Sequence, residues 1–169
     1  LQQAARLLDL AGIAAQVAVT LAGFAGVVVV FRPQALHQWS ALDKFRLHLL
    51  LTNSVLPLAY SLLGMLLLTV HPPLAEIWRW CSGIAFVTQI LVIVFGGNPN
   101  RRIPAGQLSG VNKILFYGIA VVGTAAMALQ VINFARWNRF WPFFALIFVH
   151  LIAAVVQFMR MVLLVPEKE

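Results

Sequence analysis

The sequence predicts an all-α protein: a polytopic membrane bundle of five transmembrane helices, forming one integral membrane domain over residues 1–169. Two observations predict it. Five long apolar runs, at about 10–31, 47–70, 77–95, 114–134 and 141–164, take up most of the chain. Each holds 19–24 residues, and about 20 helical residues cross a hydrocarbon core of ~30 Å. Composition agrees: 62% of residues are hydrophobic and 10% charged, against about 25% charged in an ordinary soluble domain. Only helices and closed barrels satisfy their backbone inside lipid, and these runs lack the alternation of barrel strands.

Span one (10–31) is longer than the ~7–15 residues of a signal-peptide core, so it is expected to be retained. Ala14, Ala18, Ala22 and Gly26 recur every four residues along it, a smooth stripe for helix packing within or between subunits. Span two (47–70) is preceded by Ser40 and Asp43, the spacing of a capping box, so its helix should start near Ser40. Pro57 removes a helical hydrogen bond and predicts a kink, with Thr52, Asn53 and Ser54 one turn earlier to satisfy the freed groups. Pro72 and Pro73 suit the first turn of the third helix, and Pro142 that of the fifth. The segment GGNPNRRIPAGQLSG (96–110) is the clear irregular stretch. Span four (114–134) carries a weaker small-residue row of Ala120, Thr124 and Ala128.

Charge orients the spans. The face with the 32–46 and 96–113 connections and the C-terminus carries Arg32, Lys44, Arg46, Arg101, Arg102, Lys113, Arg160 and Lys168. The other face carries Arg6, Arg79, Arg136 and Arg139. The positive-inside rule then predicts an outer N-terminus and an inner C-terminus. Trp39, Trp78, Trp80, Trp137 and Trp141 all fall at span ends, as an aromatic belt requires. The net charge of +7 flanks spans and forms no dense basic run, which argues for lipid headgroups and against nucleic acid as partner. Arg101, Arg102 and Lys113 are the foremost headgroup or anion candidates.

Polar side chains inside lipid are costly and mark candidate sites. Counting about 1.5 Å per residue puts Asn53, Gln89 and Gln157 roughly 9–10 Å from the inner edge, Arg160 nearer to it and His48 at it. That is a candidate polar layer drawn from three spans. Arg160 either snorkels to the headgroups or faces inward, held by Gln157, Asn53 or Asp43. His150 sits near mid-span, where it bonds a backbone carbonyl or serves as a ligand or relay. His48 and His150 differ by about 11 Å in depth, too far to share a haem iron. Gln16, Gln130 and Asn133 are expected to hydrogen-bond between helices.

No HExxH, GxSxG, P-loop or GxGxxG motif is present. The acidic residues, Asp9, Asp43, Glu76, Glu167 and Glu169, lie near interfaces or in the tail and provide no proton relay. The single Cys81 excludes an internal disulfide and multi-cysteine metal sites. No cofactor or metal is expected, and no enzymatic activity. The expected function is a homo-oligomeric channel or permease for small ions or solutes. The alternatives are an accessory or assembly subunit of a larger membrane complex, or a lipid-binding membrane protein. Partners are membrane lipids and other membrane subunits, identical or foreign. The segments AGFAGVVVVFR (22–32), WSALDKFRLHLL (39–50) and QFMRMVLL (157–164) resemble small, functionally uncharacterised five-span proteins of bacteria. That resemblance implies a bacterial inner membrane and brings no function or site.

Overall fold

The computed structural model describes residues 2–31, 35–70, 76–95 and 113–163. The described residues form α1 (Gln2–Phe31), a short 3-10 turn (Leu36–Gln38), α2 (Ala41–Thr69), α3 (Ile77–Phe95), α4 (Lys113–Ile132) and α5 (Phe140–Leu163). A π turn (Asn133–Trp137) closes α4. Five helical stretches, of 28, 29, 19, 21 and 23 residues, are long and apolar enough to cross a membrane.

Local chemistry sets the helix ends. Ser40 caps α2, its hydroxyl accepting from the Asp43 N–H at 3.1 Å. The helix therefore begins six positions ahead of the apolar run that starts at 47. α1 likewise starts at Gln2, because Gln, Ala, Arg and Leu are good helix formers whether or not lipid surrounds them. α3 starts at Ile77, behind Glu76. The expectation for Pro72 and Pro73 falls on residues outside those described. Pro142 does sit in the first turn of α5. Pro57 lies inside α2, but Asn53 and Ser54 do not serve the carbonyl it frees. Their side chains donate to the carbonyls of Leu49 and Leu50, both at 2.8 Å. A side chain four residues on reaches back over its own turn more easily than forward.

α5 is the hub, packing against each of the other four helices; α1 lies along α2, and α4 rests on α3 and α5. One core cluster joins Tyr60, Cys81, Ala126 and Phe143; a second joins Leu21, Trp39, Leu50 and Met161. Trp39 departs from the belt expectation, since it is buried in that second cluster. Trp80, Trp137 and Trp141 are exposed, while Trp78 packs edge-on to Phe140 at 4.8 Å between centroids.

The α1 stripe is corrected as well. Ala14 and Ala18 are buried, Ala22 is half-buried and Gly26 is exposed. A step of four residues turns the helix about 40° past a full revolution, so three steps carry Gly26 off the packed face. The face actually buried alternates steps of three and four: Ala11, Ala14, Ala18, Leu21, Ala25 and Val28. Ala18→Leu is therefore expected to cost about 1–3 kcal/mol by overpacking. Gly26→Leu should be nearly neutral, because a Cβ there meets no atom within 4 Å. Denaturant unfolding in detergent checks both, and equal effects would sink the assignment of the packed face.

Candidate functional site

The mid-bundle polar site is built around His150 on α5. Asn53 projects from α2 one turn before Pro57, and its amide nitrogen is committed to the Leu49 carbonyl. Its Oδ1 is thus the group that faces His150 Nδ1, at 2.7 Å. An amide oxygen only accepts, so the proton sits on Nδ1 and Nε2 is left bare. Gln89 of α3 completes the set by donating its amide N–H to that Nε2. Gln89 and His150 are each 8% exposed. The result is a neutral amide–imidazole–amide chain that ties α2, α3 and α5 together, with both ring nitrogens used. Tyr60 flanks it, its ring 6.1 Å from the imidazole. The Tyr60 hydroxyl meets Thr88 Oγ1 at 2.6 Å and carries the α2–α3 link one step further.

This regroups the sequence-derived candidates. Asn53 and Gln89 do meet, but through His150, which depth counting had set apart from them. That count supposed every helix to enter the membrane at its first apolar residue. α1, α2 and α3 differ in length, at 30, 29 and 19 residues, so equal counted depth does not mean contact. The sequence signal that finds the triad is the helix face. Asn53 lies beside the buried Leu50, Ser54 and Pro57, and His150 beside the buried Phe143, Leu146 and Ile147.

The other candidates lie elsewhere. His48 is exposed, on a groove with His37, Lys44 and Leu51, and takes no part in the polar chain. Gln157 is buried two turns along α5 from His150, and Arg160 is half-buried beyond it. Asp43 pairs with Arg46 on its own helix at 3.4 Å, rather than with Arg160. Arg101 and Arg102 fall outside the described residues, as does the side chain of Lys113.

A second polar knot, which sequence reasoning left scattered, closes the opposite end. Asn133 is fully buried and accepts from the Arg139 N–H at 2.8 Å. Its amide nitrogen lies 2.7 Å from Ser82 Oγ and 3.0 Å from the Arg139 carbonyl. Asn138, in the left-handed region at φ 48°, accepts from the Arg79 N–H at 3.0 Å. Asparagine adopts that conformation at little cost. Gln130 adds a bond to the Pro142 carbonyl at 2.8 Å. The start of α3, the end of α4 and the start of α5 are thereby fixed to one another. Asn133 and Ser82 were not legible as partners, because 51 residues separate them and no motif joins them.

Fold and sites define a multi-pass helical membrane protein whose interior polar groups bind its helices together. Among the described residues, no three His, Cys, Asp or Glu side chains gather as a metal site would require. No family model, curated protein or solved structure matches the chain.

Proposed function

We propose that this chain is a non-conducting, non-catalytic accessory or assembly subunit that works by packing against other membrane proteins. The observation that carries this reading is the closure of the Asn53–His150–Gln89 chain on itself inside the bundle. A conducting protein directs such groups to a shared wet path. Here they are spent on one another. Nor do the outer faces offer a polar lining for a pore between copies. Among the described residues the exposed polar side chains in mid-span are Gln16, Thr20 and Thr124. The two threonine hydroxyls are bonded back to the carbonyls of Gln16 and Ala120, each at 2.8 Å. The remaining outer surface is apolar, with Val121, Ile93 and Phe148 among the exposed side chains. Ala120, Thr124 and Ala128 also lie exposed along α4, where small side chains let a foreign helix come close.

The test is purification of the full chain in mild detergent from the membrane in which it is made. A foreign membrane subunit in fixed ratio is expected, with no ion flux above empty liposomes after reconstitution. A self-assembled oligomer that conducts ions would overturn the reading and restore the channel. We further propose an outer N-terminus, on the Lys and Arg distribution, and a bacterial inner membrane, on the resemblance of the sequence alone. A cysteine put at Ser109 should then resist labelling from outside intact cells. The native Cys81 is buried and gives no background, so efficient labelling would invert the topology.

A further inference from the structure

α2 and α5 run antiparallel in a register that two contacts fix. Tyr60 faces Phe143, with ring centroids 6.2 Å apart. Seven residues back on α2 and seven forward on α5, Asn53 faces His150 at 2.7 Å. Seven residues bring a helix to within about 20° of its starting direction, so the pairing repeats. Seven further residues put Arg46 at the level of Gln157. Both are buried, at 9% and 5% exposure, which agrees with the count. Arg46 Nε and Gln157 Oε1 are buried without a hydrogen-bond partner.

Arg160 follows three positions beyond Gln157, at the level of Asp43. It is close enough to Arg46 for the two cations to repel. Among the described residues Arg160 has no ion pair, whereas Arg46 holds Asp43. Among the described residues, two guanidiniums stand against one carboxylate at this end of the bundle. Guanidinium forks match the oxygens of a phosphate, and a phosphate between two of them turns their repulsion into attraction.

We propose that Arg46 and Arg160 form a binding site for the phosphate headgroup of an anionic membrane lipid, seated between the start of α2 and the end of α5. The site lies at the end of two spanning helices, where lipid phosphates sit, and it does not depend on whether the bundle serves a larger complex. The experiment uses the full chain in detergent, titrated with phosphatidylglycerol or with phosphatidylethanolamine and read by native mass spectrometry. Wild type is expected to retain phosphatidylglycerol preferentially; equal retention of both lipids would overturn the proposal. Each basic residue near an anionic lipid contributes roughly a fivefold preference. Arg160→Gln, at a half-buried position that leaves the core intact, should lose about that much. The double variant Arg46→Gln/Arg160→Gln should lose more. A folded Arg160→Gln protein with undiminished preference would also overturn it. Competition with inorganic phosphate separates the sources. Displacement of the lipid at low phosphate concentration would reassign the site to a soluble anion and overturn the lipid assignment.

Discussion

Replacing His150 by Leu is expected to destabilise the bundle by about 2–4 kcal/mol, more than removal of one ordinary hydrogen bond. The imidazole is the middle of the chain, so its loss strands a group on each of two other helices. Asn53 cannot turn to find a new partner, because its amide nitrogen is held by Leu49 at 2.8 Å. Gln89 is longer and recovers part of its loss. Each stranded buried polar group costs about 1–3 kcal/mol. In lipid the net figure for one bond is smaller, averaging about 0.6 kcal/mol, since unfolded helices also find partners. The decisive comparison is the triple variant Asn53→Leu, Gln89→Leu, His150→Leu. With every member of the chain apolar nothing is stranded, and the triple should lie closer to wild type than His150→Leu alone. SDS-titration unfolding in mixed micelles measures both. Losses that simply add would show three independent residues and sink the idea of a single network.

The same residues show what a sequence of this kind reveals. Span number and type were legible because five apolar runs of the right length have one solution in lipid. The start of α2 was legible because Ser40 and Asp43 carry their own chemistry. The packed face of α1 was half legible: a repeat of four finds Ala14 and Ala18 but drifts off the helix–helix contact before Gly26. Depth proved a poor guide to contact. Asn53, Gln89 and Gln157 were expected in one layer, yet Gln157 lies seven residues, or about 10 Å, beyond His150. Helix face was the better guide, because burial on a known face is a local property, whereas depth depends on where every helix begins. Arg46 was read as a flanking charge. Its burial follows from lying seven residues before Asn53 on the same face, which becomes visible only once Asn53 has a partner.

Asn133→Leu is expected to loosen the α4–α5 corner and to cost about 2–4 kcal/mol. The side chain stands at the first position of the π turn, where the Asn138 N–H reaches back five residues to the Asn133 carbonyl at 3.1 Å. Insertions of this kind widen a helix, and one here lets the Asn133 amide reach Ser82 on α3 and Arg139 ahead of α5 at once. Leucine fills a similar volume but neither accepts from the Arg139 N–H nor donates to Ser82. Ser82 can rotate its hydroxyl towards another group. The backbone N–H of Arg139 has no such freedom, and it carries the cost. Asn133→Asp keeps the acceptor and loses both donors, and it sets a carboxylate beside the Trp78 and Arg139 carbonyls. It should therefore keep the Arg139 N–H protected from exchange while still losing stability to the repulsion from those two carbonyls. Asn138→Gly makes the contrast, since glycine keeps the left-handed backbone and forfeits only the bond to Arg79. Its cost should stay near 1 kcal/mol. Hydrogen exchange at the Arg139 and Arg79 amides separates these effects. Asn133→Leu should speed exchange at Arg139 most, and Asn138→Gly at Arg79 alone. Unchanged protection at Arg139 in an Asn133→Leu variant of wild-type stability would show that the corner is held by its apolar contacts instead, Trp78 against Phe140 foremost.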